Sequence, residues 1–287
     1  MKKETIRKRV LALMLLAAVF CSLVGCMPQE ASRLTPITVT LLKVGKADAI
    51  VVLSGSQAML IDTGEEDDGM EVVEFLQKHG ITQVEAMVIT HFDQDHVGGA
   101  DTVLESFPVK TIYVPDYEGV HTEYLDFLQA AEAKAAPIQR LSQSVTFSFG
   151  DAEVLIEPPA SYEIPEGKAD YDNNFSLITT ITHGKNRLVF MGDAEKARIR
   201  EWLRGGSAVP CDFLKVPHHG IYNKALEDLF RTLMPKYSVI CSSQKHPAEE
   251  KTLELLKKYS SHIFETKDGN ILVISDGNRL EVQQKRK

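Results

Sequence analysis

The residues best suited to chemistry lie together in the segment Thr90-His91-Phe92-Asp93-Gln94-Asp95-His96-Val97-Gly98-Gly99. Its four potential metal ligands are His91, Asp93, Asp95 and His96. Neutral imidazole and carboxylate are the groups that a hydrolytic divalent metal needs, and two such pairs could serve two adjacent ions. The alternative interpretation is an acidic turn with two surface histidines. The combined spacing and glycines favour the metal site.

Further potential ligands follow other predicted strands. One such residue alone is a weak signal, because Asp or His after a strand often caps a turn. Together they suggest a site that collects side chains from several strand ends. These residues are Asp62, Asp193, His218, His219 and His246.

The elements that must position these side chains are short apolar runs. Ile37–Val44, Ala49–Leu53 and Ala58–Ile61 predict strands, and the run before His91 predicts a buried strand that ends in the ligand turn. The pattern of strands followed by alternating strands and helices occurs twice, joined by a proline-containing loop at Pro158–Asp172. We therefore predict an α/β (α+β) fold in which two sheets pack face to face with helices outside.

The N-terminus is different in kind. A basic head precedes the apolar stretch Val10–Val24, which is short for a membrane span and typical of an export signal. Leu23-Val24-Gly25-Cys26 resembles a bacterial lipobox, whose cysteine is lipidated. We predict a signal peptide at 1–25, lipidated Cys26 with a tether at 26–36, and a hydrolase domain at 37–284. A plain secretory signal and an uncleaved anchor are the alternatives.

Export with a lipid on Cys26 would place the domain outside the cell, anchored to the outer face of the bacterial cytoplasmic membrane. The 287 residues carry a formal net charge of −8. Removal of residues 1–25 takes away five basic residues and Glu4, a net loss of +4 that leaves −12. An acidic protein does not hold polyanions through non-specific phosphate contacts, so no tight non-specific DNA binding is expected. Transient action on a phosphodiester stays compatible with this charge.

The sequence resembles the metallo-β-lactamase superfamily, and within it the hydrolase domain of ComEC competence proteins. Asp62, the segment from His91 to His96, and Asp193 match the first, second and metal-bridging motifs of the superfamily. Asp93, where most relatives have histidine, is typical of the ComEC branch. The other matching segments of that branch are Val44-Gly45-Lys46-Ala47-Asp48-Ala49, Asn173-Asn174-Phe175-Ser176, Lys215-Val216-Pro217-His218-His219-Gly220, His246-Pro247, Asp268-Gly269 and Asp276-Gly277.

This resemblance implies an αββα metallo-β-lactamase sandwich with one or two divalent metal ions at one edge. Mapped onto this chain, one ion has His91 and Asp93 as ligands, and Asp62 is a structural residue near the site. The other ion has Asp95, His96 and His218, and Asp193 bridges the two. The position that usually holds the third-motif histidine corresponds here to Asn173 or Asn174. We assign both asparagines to substrate binding. Three carboxylates among the ligands let manganese compete with zinc.

The implied chemistry is hydrolysis by a metal-activated water. Asp95 would orient that water, and His219 and His246 would donate a proton or bind an anionic oxygen. For His219, a supporting role behind the ligands is an equally good interpretation. Lys215 is a weaker candidate for contact with the substrate. Ile221 stands where the family commonly has Ser, which questions nuclease activity.

The preferred function is an exported, lipid-anchored, metal-dependent hydrolase of phosphodiesters, in extracellular nucleic acid or another phosphorylated substrate. A second hypothesis is an ester, lactone or β-lactam hydrolase of the same fold. A third is a binding module with a degenerate metal site and no turnover. Metal content and substrate choice distinguish the three.

Overall fold

The computed structural model describes residues 34–164, 171–260 and 262–285, and within them fifteen strands. Cys26 and the predicted signal peptide lie outside the described residues. In chain order the strands are β1 (Ile37–Leu41), β2 (Ala49–Ser54), β3 (Gln57–Thr63), β4 (Val84–Val88), β5 (Ile112–Pro115), β6 (Ile138–Leu141), β7 (Val145–Phe149), β8 (Ala152–Glu157), β9 (Ile178–His183), β10 (Asn186–Phe190), β11 (Phe213–Lys215), β12 (Tyr237–Ile240), β13 (His262–Glu265), β14 (Asn270–Ser275) and β15 (Leu280–Lys285).

Seven α-helices accompany these strands in the described part of the chain. They are α1 (Gly69–Lys78), α2 (Gln94–Val97), α3 (Ala100–Ser106), α4 (Thr122–Ala133), α5 (Lys196–Arg204), α6 (Leu226–Leu233) and α7 (Glu250–Tyr259). Single 3-10 turns lie at Glu66–Asp68, Asp172–Phe175, His218–Gly220 and Thr266–Asp268. None of the helices in the described ranges combines the length and the apolar character needed to cross a membrane.

The strands form two mixed sheets. The first has the order β15-β14-β1-β2-β3-β4-β5-β6, and the second has the order β13-β12-β11-β10-β9-β8-β7. In each sheet the antiparallel strands lie to one side and the parallel strands, connected through helices, lie to the other. A site at the carboxyl ends of β3, β4, β10 and β11 therefore receives loops from both sheets.

Three apolar cores hold four layers together. The central core joins the two sheets, and the outer cores lie under α1, α3 and α4 on one side and under α5, α6 and α7 on the other. Along β3, Met59 and Ile61 face the central core while Ala58 and Leu60 face the outer one. Both faces of the strand are buried, which explains why it reads as an unbroken apolar run. The layer order, helix–sheet–sheet–helix, is the one implied by the sequence.

Candidate metal centre

Backbone hydrogen bonds tie the loops of the two sheets into one edge. The amide of Leu177, just before β9 of the second sheet, donates to the carbonyl of Thr90, which follows β4 of the first, at 2.9 Å. The amide of His218 donates to the carbonyl of Gly192 at 3.2 Å. The polar residues that end β3, β4, β10 and β11 consequently face one another at this edge.

The ligand segment holds a short helix rather than a turn alone. Asp95 and His96 lie on α2, which Gly98 and Gly99 follow. A Cβ at Gly99 would stand 2.5 Å from the carbonyl oxygen of Thr63, closer than real contacts allow. The glycines are needed here because the backbone packs against the end of β3, which brings α2 close to the other strand ends.

Three overlapping groups of buried side chains could hold a metal ion in the described part of the chain. One contains His91, His96 and Asp193, and the second contains Asp95, His96 and His219. The third contains Asp48, Asp62 and His96. Within each group the potential ligand atoms lie within 4.8 Å of one another. The Nε2 atoms of all three histidines are buried and make no well-aligned hydrogen bond among the described residues, although each lies within 3.5 Å of a carboxylate. Unsatisfied imidazole nitrogens that converge with carboxylates fit a divalent cation.

Asp93 lies at the rim of this cluster. Its carboxylate is 3.5 Å from His91 Nε2, and a third of its side chain is exposed. The structure thus brings Asp93 next to His91, as the predicted first ion requires, but Asp93 is the most solvent-accessible carboxylate near that imidazole.

His96 is held by an outer layer of hydrogen bonds. Its Nδ1 lies 2.8 Å from Asp62 Oδ2, and the same carboxylate accepts hydrogen bonds from the amide and hydroxyl of Thr90, both at 2.7 Å. Asp62 has a left-handed backbone conformation, with φ of 57°. Strain of this kind persists where the surroundings fix it, and here Asp62 turns its carboxylate toward His96. Asp62 therefore orients the imidazole and leaves Nε2 toward Asp193, 3.3 Å away.

The structure exchanges the positions expected for the two adjacent histidines. His219 Nε2 lies 2.9 Å from Asp193 and 3.3 Å from Asp95, inside the cluster. His218 Nε2 is 3.9 Å from Asp193, and its Nδ1 faces Glu195 at 3.4 Å. His219 thus belongs to the cluster of potential ligands. His218, which the resemblance assigns as the ligand, lies beside that cluster and next to Glu195.

The charged side chains of the cluster shift one another's pKa values strongly. Burial opposes the charged imidazole of His219, but Asp193 and Asp95 outweigh it and raise its pKa to about 9. The pKa of His96 is likewise raised well above its ordinary value, against the effect of burial, by Asp193 and Asp62. Burial alone would raise the pKa of Asp193, yet His219, His96 and Lys215 hold it well below the usual range. In the metal-free protein, protons on the histidines supply the positive charge that the carboxylates require.

Lys215 is not placed where a substrate could reach it. Its side chain is fully buried, and its ammonium donates to the carbonyl of Gly192 at 2.9 Å and forms ion pairs with Asp48 and Asp193. The substrate contact expected from the sequence is therefore replaced by an internal one, because β11 ends inside the core. Asp48 was absent from the predicted site residues, although it belongs to the opening segment that resembles the family.

The two asparagines have separate positions. Asn174 accepts hydrogen bonds from the amides of Ala197 and Arg198, both at 3.1 Å, so it caps the first turn of α5. Asn173 Oδ1 is buried without a hydrogen-bond partner among the described residues. Asn174 therefore stabilises the start of α5. Asn173 is the asparagine whose side-chain oxygen has no hydrogen-bond donor among the described residues.

His246 lies in an exposed loop after β12 rather than in the cluster. It lines a cavity of about 500 Å³ together with Lys46 and Lys245. Lys46, another residue outside the predicted site, reaches Asp95 with its ammonium at 2.7 Å. His246 is therefore connected to the centre through this cavity, and it contacts none of the clustered ligands.

Comparisons with solved structures agree with this architecture. The metallo-beta-lactamase fold protein YhfI from Bacillus subtilis superposes with a TM-score of 0.53 at 11% identity, over 80% of this chain and 95% of that one. Zn²⁺-bound PqqB from Methylobacterium extorquens gives a TM-score of 0.54 at 11% identity, over 79% and 98%. At such identities the likeness shows the fold.

Sequence relatives are more specific. ComE operon protein 3 of Bacillus subtilis is 28% identical over 214 residues, which are 73% of this chain and 27% of that protein. Recombination protein 2 of Haemophilus influenzae is 26% identical over 254 residues, 85% of this chain and 30% of that protein. The chain thus spans less than a third of these relatives. The model of the metallo-beta-lactamase superfamily matches residues 42–244, and the chain therefore belongs to that superfamily.

Proposed function

We propose that this protein is a metal-dependent hydrolase that cleaves phosphodiesters at the outer face of the bacterial cytoplasmic membrane, held there by a lipid on Cys26. The observation that carries the proposal is the convergence of three unsatisfied imidazole nitrogens with the carboxylates of Asp95 and Asp193 at one edge of the fold. A bound divalent ion lowers the pKa of its water and stabilises charge on the attacked group.

The donor set supports a hard or borderline divalent ion. Asp95, His96, His219 and Asp193 would hold one ion, and His91 with Asp93 would contribute to a second. Oxygen ligands suit manganese and imidazole suits zinc, so a mixed set accepts both. The buried Lys215 forms ion pairs with Asp48 and Asp193. Together with His219 and His96, it holds the pKa of Asp193 well below its usual range against the effect of burial.

Several side chains have defined tasks in this proposal. Asp95 presents Oδ2 between His219 and Lys46, where it can orient the attacking water as well as serve as a ligand. His219 and His96 hold the pKa of Asp95 far below its ordinary value against the effect of burial, so its carboxylate stays ionised. Glu195 holds the imidazole of His218 beside Asp193, at the rim of the centre. Asp62 fixes the tautomer and the direction of His96.

The phosphodiester is favoured by the likeness to competence and recombination proteins and by the basic side chains beside the centre. The location rests on the basic and apolar N-terminal sequence with its lipobox-like Gly25-Cys26. Esters, lactones and β-lactams are the substrates that the same fold would favour if phosphodiesters fail.

The test uses the full-length protein, stripped of metal and reloaded with manganese or zinc. Hydrolysis of a generic phosphodiester and of labelled single-stranded and double-stranded DNA is followed, with Asp193→Ala as the inactive variant. Asp126→Ala, an exposed aspartate on α4, is the matched control. Metal-dependent cleavage that is lost only in Asp193→Ala supports the proposal. Bound metal without cleavage directs attention to ester and lactam substrates, and neither metal nor cleavage supports a binding module.

A further inference from the structure

Lys46 is a cation at the edge of the metal centre. The residue lies in the loop between β1 and β2, with its ammonium 2.7 Å from Asp95 Oδ2 and 39% of its side chain exposed. A lysine ammonium is ordinarily charged at neutral pH, and here it has a carboxylate as its partner. Lys46 is therefore positively charged at neutral pH and half accessible to solvent.

Two cavities meet at this side chain, and both are lined by Lys46 and Glu65. The larger, about 500 Å³, is also lined by Lys245 and His246 and by the small or neutral residues Gly45, Ser243 and Gln244. The smaller, about 320 Å³, is lined otherwise by Gln94 and by a set of carboxylates. That set is Glu66, Asp67, Asp95 and Glu123. The surroundings of Lys46 are therefore basic on one side and acidic on the other.

We propose that Lys46 is a substrate-binding residue that determines specificity: its ammonium, with Lys245 and His246, binds an anionic oxygen of a substrate group in the larger cavity. The inference rests on the proposed hydrolase function and narrows its substrate class. The part of the substrate that passes over the smaller cavity carries no negative charge, because five carboxylates, Glu65 among them, line it. The site thus fits a compact phosphodiester with its anionic group on one side, and it disfavours the interior of a continuous polyanion.

The contact with Asp95 makes the ammonium available where the chemistry occurs. In the metal-free protein, Lys46 and His219 share the carboxylate of Asp95. An ion held by Asp95 would take up part of the same negative charge. The ammonium of Lys46 also lines the larger cavity, and its partly exposed side chain lets it turn toward a substrate oxygen there.

The experiment measures binding of inorganic phosphate to the full-length, manganese-loaded protein by calorimetry. Lys46→Met removes the charge, Lys46→Arg restores it, and Lys43→Met removes an exposed charge of the same loop as the matched control. Because a charge-assisted hydrogen bond is lost, we expect phosphate to bind about 10-fold more weakly to Lys46→Met. The Arg variant should recover most of the affinity, and Lys43→Met should stay within about twofold, as for a surface charge outside the cavity.

Metal content is measured on the same samples. Lys46 competes with metal for Asp95, so Lys46→Met should bind manganese at least as tightly as the unchanged protein. A weaker phosphate affinity then cannot come from a lost ion. An unchanged phosphate affinity in Lys46→Met, or an equal loss in Lys43→Met, would overturn the inference.

Phosphodiester kinetics separate this inference from the proposed function. If the enzyme cleaves phosphodiesters and Lys46→Met raises KM about 10-fold with little change in kcat, both are supported. If cleavage occurs but KM and phosphate affinity are unchanged, the inference fails and the function stands. If no phosphodiester is cleaved while phosphate binding still depends on Lys46, the proposed function fails and the anion-binding role of Lys46 stands.

Discussion

Replacing His219 with Ala should weaken metal binding far more than replacing His218 with Ala. His219 Nε2 lies 2.9 Å from Asp193 and 3.3 Å from Asp95, so its removal takes away one ligand of the better-furnished ion. Structural zinc sites with four ligands are worth about 10 to 16 kcal/mol, or roughly 3 kcal/mol per ligand. At about 1.4 kcal/mol per factor of ten, the affinity should fall on the order of 100-fold.

His218 should behave differently. Its Nε2 is 3.9 Å from Asp193, and its Nδ1 is 3.4 Å from the carboxylate of Glu195. His218 therefore acts on the bridging aspartate from outside the ligand set. Loss of such an outer partner costs about 10-fold at the lower end of the usual range. The two substitutions delete the same atoms from neighbouring positions, so each is the matched control for the other.

The assay is competition for zinc and for manganese against a chromophoric chelator at fixed pH, on the full-length protein. Thermal unfolding of the metal-free variants shows whether each still folds. A loss in His218→Ala that equals or exceeds the loss in His219→Ala, with both variants folded, would refute the placement of the ligands. The sequence-based assignment, in which His218 is the ligand, would then be the better one.

Three other results should follow from the same contacts. Asp62→Asn should lower metal affinity about 10-fold to 100-fold in the chelator assay, because it no longer fixes the Nδ1 proton of His96; full affinity would contradict that role. Lys215→Met should lower the free energy of unfolding by about 3 to 5 kcal/mol in urea titrations, because it strands the buried charge of Asp48, and Asp48→Asn in the same chain should recover part of it; a loss below about 1 kcal/mol would mean that the pair is not desolvated. The folded-state pKa of His219 is raised to about 9, so its contribution to metal-free stability is full below the unfolded value near 6.5 and disappears as the pH rises through about 9; unfolding of the metal-free protein and of His219→Gln should therefore differ in slope between those pH values, and parallel curves would contradict the shift.

Much of the fold could be predicted because apolar periodicity reports burial directly. Three short runs before residue 64 appear as β1, β2 and β3, and the run before His91 appears as β4. Strand β6 (Ile138–Leu141) was missed because it is a parallel strand at the edge of the first sheet with one buried residue, Leu141. Helix α2 was read as a turn because four residues are too few for a helical period.

The site was harder to predict where neighbouring residues of one type compete for a role. His218 and His219 both have left-handed backbone conformations, with φ of 48° and 50°. Two consecutive residues of this kind turn the chain sharply, and the sequence does not reveal which imidazole then faces inward. Lys215 shows a related difficulty, since a lysine next to a ligand motif suggests a surface cation. Lys215 is buried because it is the last residue of β11, a strand whose three residues are all buried.

The geometry of His96 makes the two halves of the centre unequal. All three groups of potential ligands among the described residues include this histidine, and Asp62 lies at its Nδ1, so Nε2 is the nitrogen it can offer to an ion. Since one nitrogen serves one ion, His96 can complete the set with Asp95 and His219 or the set with His91 and Asp193, but not both. In the first case the other ion would be left with His91 and the partly exposed Asp93. An aspartate and an asparagine in place of two histidines weaken that second position further. A centre of this kind would hold one ion tightly, and a second ion would bind more weakly, with Asp193 and a substrate oxygen supplying its remaining ligands.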